Sequence, residues 1–175
     1  MTRAFTVKPA EELLDAEFTA KWRDRQTIGT TSRSVLETIL GRFVELGGPV
    51  PLEALTPNLA DRDPAEIADA LRELDEKDMI MLRDGQVVLA YPFAGFTTPF
   101  RAVLPDGRER PAVCAVDALG IAPMLGQPVT IHSRCHHCGD PLRLEVGPTG
   151  PIGASEAMVW VGERSLLREK ACDSL

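Results

Sequence analysis

The hydrophobic pattern changes near residue 78, and this change constrains the fold more than any other feature. Up to that point apolar residues recur at helical spacing, first from Ser34 until Gly47-Gly48-Pro49 stops the helix. A short second helix is predicted over Leu52–Leu59. A third begins at Asp63-Pro64, where the carboxylate can cap the helix and proline suits its first turn.

After the change, Met79–Leu82 and Gln86–Leu89 read as two strands joined by the turn Arg83-Asp84-Gly85. Three helices followed by a hairpin are typical of a winged helix-turn-helix. We therefore predict a winged-helix-like domain over residues 34–95. Residues 1–33 precede it as an extension, in which Glu11–Trp22 could form an amphipathic helix with one apolar face: Leu13, Leu14, Phe18 and Trp22.

The charges of the third helix argue against DNA binding by this domain. Its segment from Pro64 to Lys77 carries five acidic residues against two basic ones, and the whole chain has 19 basic and 26 acidic residues, a net charge of −7. DNA phosphates would repel such a surface. We therefore interpret the winged-helix shape as a packing or dimerisation module, which leaves a homodimer open.

Composition and terminal sequence predict a soluble cytoplasmic protein. The 175 residues include only four cysteines, too few for a secreted disulfide scaffold, and Met1-Thr2-Arg3-Ala4-Phe5 lacks the apolar core of a signal peptide. The longest uncharged run, Ala118 to Ser133, is too short for a membrane span. We expect reduced cysteines and no association with a membrane.

The remaining residues, 96–175, predict a small mixed α/β domain with antiparallel strands, so that the whole chain belongs to the α+β class. A hairpin turns at Pro105-Asp106-Gly107, and a helix opens near Cys114 and runs to about Leu125. The strands Val129–His132 and Leu142–Val146 follow. The expected later segments are a loop over Gly147–Gly153, a strand over Met158–Val161 and a helical ending over Leu166–Leu175.

All four cysteines and all three histidines lie in this last domain, so soft-ligand chemistry belongs there. Cys114 and Asp117 are three residues apart, which places them on one face of the predicted helix. A thiol beside a carboxyl can exchange a proton with it, and a thiolate binds soft metals far better than a thiol does. The alternative is a small core cysteine beside an exposed acid.

Cys135-His136-His137-Cys138 has the spacing of a metal-binding knuckle and is followed by glycine. Two cysteines supply only two ligands, so a closed zinc site would need two more, from Cys114, Cys172 or the histidines. The alternative is a tight hairpin turn that carries two reduced thiols.

The segment Cys114-Ala115-Val116-Asp117-Ala118-Leu119-Gly120 resembles the organomercurial (alkylmercury) lyase family. The resemblance continues through Pro123-Met124-Leu125-Gly126 and the strand Val129-Thr130-Ile131, which leads to Ser133 and Cys135. The order of a winged-helix-like region before a cysteine-bearing domain also agrees with this family.

The resemblance implies protonolysis of a carbon–mercury bond, in which two cysteine thiolates take the mercury and an aspartate handles the proton for the leaving carbon. Cys114 matches the family's first catalytic cysteine and Asp117 its aspartate. Cys172 is the candidate by order for the second cysteine, while Cys135 matches a cysteine that is not catalytic. No organic cofactor is implied: Hg(II) is the product ion, and cytosolic thiols or a mercuric reductase would accept it.

Two features depart from the family pattern. Cys172 lies three residues before the end of the sequence, where we expect it to be less firmly held than a site needs. Cys138 and the paired histidines form a knuckle that the lyase reaction does not require. The alternative function is therefore a non-catalytic protein or regulator that binds a thiophilic ion, zinc or another, through Cys135 and Cys138.

Overall fold

Five helical segments and two antiparallel sheets form the described part of the chain, residues 9, 12, 16–154 and 156–159 of a computed structural model. The helices are α1 (Ala16–Arg25), α2 (Thr30–Leu46), a 3₁₀ helix (Leu52–Asn58), α3 (Pro64–Glu76) and α4 (Ala115–Leu125). The strands are β1 (Val50–Pro51), β2 (Ile80–Arg83), β3 (Gln86–Ala90), β4 (Phe93–Ala94), β5 (Arg101–Val103), β6 (Glu109–Pro111), β7 (Val129–Arg134), β8 (Pro141–Gly147) and β9 (Gly150–Ile152).

Helix α2 starts slightly earlier than its hydrophobic period indicates and ends where the glycines predict. Its buried face carries Val35, Ile39 and Phe43, one or two turns apart. Gly47 then adopts a left-handed conformation (φ 72°), and its N–H donates to the Phe43 carbonyl at 3.0 Å. This ending satisfies one of the last free carbonyls of the helix.

The other predicted helices of this region are confirmed with one difference in type. Helix α3 begins as expected, since the Asp63 carboxylate accepts a hydrogen bond from the Ala65 N–H at 2.8 Å and Pro64 is the first helical residue. The short helix before it is a 3₁₀ helix and contains Pro57, which has no N–H to donate to an α-helical ladder.

The first sheet has the order β1-β3-β2, and β4 pairs with β3. The second sheet has the order β6-β5-β7-β8-β9 with antiparallel neighbours throughout. The predicted hairpins β2–β3, β5–β6 and β7–β8 are therefore confirmed. The α+β class is confirmed as well.

Two predicted elements need correction. The expected loop Gly147–Gly153 contains strand β9, because this strand lies at the sheet edge, where Pro151 costs no ladder hydrogen bond on its open side. Trp22 of helix α1, predicted on an apolar face, is 54% exposed, and the predicted helix start at Glu11 lies outside the described residues. Leu13 and Leu14, and the side chain of Phe18, lie outside the described residues.

The last predicted elements fall mostly outside the part that the structure describes. Met158 and Val159 are irregular, so the expected strand does not include them. The rest of that strand and the predicted helical ending, Leu166–Leu175, belong to the residues outside the description.

One continuous hydrophobic core joins residues of both sheets. Phe43, Leu74 and Ile80 of the first region lie in the same cluster as Ile121 and Val146 of the second. The division at residue 95 and the winged-helix description of residues 34–95 both stay predictions. No helix in the described ranges is long and apolar enough to cross a membrane.

Candidate active site

Cys114 lies at the junction between strand β6 and helix α4. Its backbone is extended (φ −144°, ψ −177°), and it occupies the N-cap position, so α4 begins with the next residue, Ala115. Asp117 is in the first turn of α4. The spacing of three residues therefore brings the thiol and the carboxyl to the same side of the helix start, as predicted.

The Cys114 thiol is half-buried and holds its proton tightly. Burial raises the pKa of Cys114 to about 12, and the negative charge and hydrogen bonding of Asp117 contribute in the same direction. The backbone N–H groups of Val116 and Asp117 act the opposite way and favour the thiolate. At neutral pH the sulfur is therefore protonated until something replaces that proton.

The Asp117 carboxyl is also shifted towards its protonated form. Burial raises the pKa of Asp117, while hydrogen bonding to Cys114 and the positive charge of Arg25 partly offset this effect. The result is a carboxyl that accepts a proton more readily than an ordinary surface aspartate does. Such a group can take a proton from the neighbouring thiol and pass it on.

Arg25, at the end of α1, is firmly held near this site. Its guanidinium donates to the Asp78 carboxylate at 2.9 Å and to the Lys77 carbonyl at 3.2 Å. It also lies over the ring of Tyr91, 5.5 Å from the ring centre. These contacts fix a positive charge that lowers the pKa of Asp117 and so partly offsets the effect of burial.

A cavity of about 560 Å³ opens beside Asp117. Residues of α1, α2, the β3–β4 connection and α4 line it, and most of them are apolar. The lining consists of Trp22, Arg25, Gln26, Ile28, Arg33, Leu36, Glu37, Met79, Tyr91, Pro92, Val116, Asp117, Gly120 and Met124. A mostly apolar cavity with a few polar groups is the usual form of a small-molecule site.

The predicted knuckle forms the turn between β7 and β8. The Cys135 N–H donates to the Asp140 carbonyl at 2.8 Å, and the Gly139 N–H donates to the Cys135 carbonyl at 2.9 Å. Gly139 has a left-handed backbone (φ 76°), which explains the glycine after the second cysteine. Among the described residues no group of three or more potential ligands forms a metal site, so zinc at the knuckle finds no support.

The structure thus brings together Cys114 and Asp117, and separately Cys135 and Cys138. Cys172 lies outside the described residues, so its relation to Cys114 stays a prediction. Sequence reasoning missed Arg25 and Tyr91. Neither belongs to a recognisable motif, and only the packing of α1 against the β3–β4 connection places them beside α4.

Comparison with known proteins agrees with this cysteine-bearing region. The family model for alkylmercury lyase (MerB) matches residues 93–174. An alkylmercury lyase of Staphylococcus epidermidis is 28% identical over 134 residues, and one of Streptomyces lividans is 32% identical over 123 residues. These alignments cover 74% and 67% of this chain.

The chain spans 60% of the length of the Staphylococcus protein and 53% of that of the Streptomyces protein. A crystal structure of the mercury-bound form of MerB2 has the same fold, with a TM-score of 0.63 and 23% identity. That alignment covers 79% of this chain and 66% of the MerB2 chain. Over residues 93–174 this chain therefore matches the alkylmercury lyase family.

Proposed function

We propose that this protein cleaves carbon–mercury bonds by protonolysis, with Cys114 as the first mercury ligand and Asp117 as the proton carrier. The observation that carries the proposal is the direct interaction between the Cys114 thiol and the Asp117 carboxyl beside an apolar cavity. Similarity to the alkylmercury lyase family supplies the substrate class, a small organomercurial.

The first step transfers the proton of Cys114 to Asp117 as mercury binds. When the mercury of a substrate R–Hg–X approaches Cys114, sulfur binds the metal, its proton moves to the Asp117 carboxylate, and X⁻ leaves. A thiolate is the softest ligand that a side chain offers, which compensates for the cost of removing a proton from a buried thiol. Asp117 is suited to hold that proton because burial already raises its pKa.

The second step breaks the carbon–mercury bond. A second thiolate binds the mercury, and the resemblance to the family assigns this role to Cys172. Its donation increases the electron density on carbon, and Asp117 delivers its proton there. The sum is R–Hg–X with two thiols giving R–H, a mercuric bis-thiolate and HX. One thiol proton ends on carbon and the other leaves with X⁻, with no oxidant or reductant.

The cavity suits the organic group of the substrate. Its apolar residues, among them Leu36, Met79 and Met124, can enclose an alkyl or aryl group. Asp117, on α4, lines the same cavity. Cysteine thiols in solution or a mercuric reductase would then remove the mercuric ion from the two sulfurs.

The test is to incubate the protein with phenylmercuric acetate and excess cysteine and to measure free benzene by gas chromatography. We expect steady release from the wild type and none above background from Cys114→Ser. Cys138→Ser is the matched control, since it removes an exposed thiol outside this site. Equal release from wild type and Cys114→Ser would refute the proposal.

The second candidate function is the non-catalytic binding of a soft metal ion. The observation that favours it is the paired Cys135 and Cys138, which the cleavage reaction leaves unused. Stoichiometric metal on freshly purified protein, without any hydrocarbon release, would favour binding alone.

A further inference from the structure

Cys135 and Cys138 are held as a pair by the turn that joins β7 to β8. The backbone N–H groups of Cys138 and His137 point to the Cys135 sulfur, and the two cysteine side chains hydrogen-bond to each other. The Cys138 thiol also lies 3.2 Å from the Asp140 carboxylate. The turn thus holds the two cysteine side chains next to each other, with the Asp140 carboxylate in contact with the second.

Hydrogen bonds to backbone groups hold the turn that carries the two cysteines. The Cys135 N–H and carbonyl are both hydrogen-bonded, to Asp140 and Gly139, and the Arg134 guanidinium donates to the Gly139 carbonyl at 3.1 Å. The sulfurs are therefore positioned before any ion arrives, which reduces the entropy that binding must lose.

The ligand set selects the kind of ion. A closed zinc site needs four ligands, and no group of three candidate ligands exists in the described part of the chain. Two thiols on an exposed turn suit a soft ion that is satisfied by two sulfurs. Mercuric ion is such an ion, and binding it releases two thiol protons to solvent with no change of oxidation state.

The register of the second sheet places this pair at the same end of the sheet as Cys114. Pro111, Arg101 and His132 form one row across β6, β5 and β7. Since β6 and β7 both run antiparallel to β5, both leave the sheet at this end, about 10 Å apart at two strand spacings. Cys114 follows Pro111 by three residues, and Cys135 follows His132 by three.

We propose that Cys135 and Cys138 form a second soft-ion site, separate from Cys114, that chelates one mercuric ion at the exposed β7–β8 turn. This site does not depend on the cleavage reaction, because inorganic Hg(II) suffices to fill it.

The experiment uses the full chain with Cys114→Ser and Cys172→Ser combined, so that Cys135 and Cys138 are the only cysteines left. The protein is dialysed against mercuric chloride with excess glutathione, and bound mercury and free thiols are counted. We expect one Hg(II) per chain and a fall from two reactive thiols to none. Zinc chloride under the same conditions should not be retained.

Adding Cys138→Ser to this variant provides the matched control. Loss of the second sulfur removes the chelate, so retention against glutathione should weaken on the order of 100-fold. Circular dichroism checks that each variant is folded. Equal retention with one cysteine or with two would overturn the proposal, as would two thiols that remain reactive at saturating mercury.

The result is separable from the cleavage activity. Failure of this dithiol to bind Hg(II) leaves hydrocarbon release by the wild type untouched, and absence of hydrocarbon release leaves binding of inorganic Hg(II) untouched.

Discussion

At the scale of single residues, the thiol of Cys114 and the carboxyl of Asp117 are neighbours whose surroundings oppose the ionisation of each. Burial raises the pKa of both groups, and the charge of Asp117 raises that of the thiol further. A buried pair of this kind shares a proton readily with a substrate but is slow to react with general thiol reagents. This difference from an exposed cysteine can be measured directly.

The first prediction concerns the order of cysteine alkylation by iodoacetamide at pH 8. Cys135 should react first, because the backbone N–H groups of Cys138 and His137 lower its pKa, whereas Cys114 should react last of the described cysteines. Asp117→Asn should speed the reaction of Cys114, since each unit by which the pKa falls gives about ten times more thiolate. Mass spectrometry of peptides gives the rates, and labelling of Cys114 ahead of Cys135 would disagree with this account.

The second prediction concerns stability and pH. The pKa of Asp117 is raised by folding, so the wild type loses stability as pH rises from the pKa of the unfolded carboxyl through that of the folded one. Asp117→Asn cannot ionise and should be more stable at pH 7, by on the order of 1 kcal/mol. The advantage should vanish at about pH 3, below the unfolded pKa. Urea unfolding at both pH values measures this difference in stability. If Asp117→Asn were less stable than the wild type at pH 7, the prediction would be wrong.

Residue spacing predicted part of this site and could not predict the rest. Cys114 and Asp117 are close in sequence, so helical geometry alone brings them together. The burial of the pair and the charge of Arg25 depend on α1 and the β3–β4 connection, which are distant in sequence. No local pattern carries such information.

At the scale of elements, one buried side chain connects α2 to the second sheet. Arg110 of β6 is 6% exposed, and its guanidinium donates to the Val44 carbonyl at 2.7 Å and to the Glu45 carbonyl at 3.1 Å. These carbonyls are at the last turn of α2, where they lack helical partners and where a positive charge is favourable.

The third prediction follows from this contact. Arg110→Met should lower the free energy of unfolding by about 2 kcal/mol, because the Glu45 carbonyl would lose its charged donor and the Val44 carbonyl would keep only Arg108. Arg101→Met is the matched control on the neighbouring strand, where the ion pair with Glu109 is exposed. Its effect should stay within about 0.5 kcal/mol. Equal effects in denaturant titrations would show that Arg110 does not connect the elements as described.

The fourth prediction concerns the segment that follows the cavity wall at Tyr91 and Pro92. A Cβ at Gly95 would lie 2.9 Å from backbone atoms of both Pro49 and Val88, so Gly95→Ala must displace a strand and should cost about 2 kcal/mol. Gly41→Ala, in the middle of α2 with open space around it, should instead stabilise the protein by about 0.5–1 kcal/mol. Thermal unfolding measures the melting temperature of both variants. A shift of the same sign in both would contradict the close approach of Gly95 to Pro49 and Val88.

Elements with strong local signals were predictable, and elements defined by the sheet were less so. Glycine at the end of α2 and aspartate-proline at the start of α3 fix helix ends through backbone geometry. Strand β9 contains Gly150 and Pro151, so its composition favours a loop, and only pairing with β8 makes it a strand.

At the scale of the whole molecule, the cavity exists because helices from the first half of the chain pack near α4 of the second half. The shared core extends from Phe43 and Leu74 to Ile121 and Val146, so both halves contribute to the position of the site. The fold class was predictable from the alternation of patterns. The shape of the cavity was not, because it depends on how the two sheets and α1 come together.

The central claim is that Cys114 captures mercury and Asp117 delivers the proton, and Asp117→Asn separates the two roles. The most direct measurement is a single turnover with phenylmercuric acetate, which follows bound mercury and released benzene in the same sample. We predict that Asp117→Asn still takes up mercury at Cys114, with the thiol proton passing to solvent, while benzene release falls by about 100-fold or more, the usual share of a proton donor. Benzene release at the wild-type rate from Asp117→Asn would contradict the account.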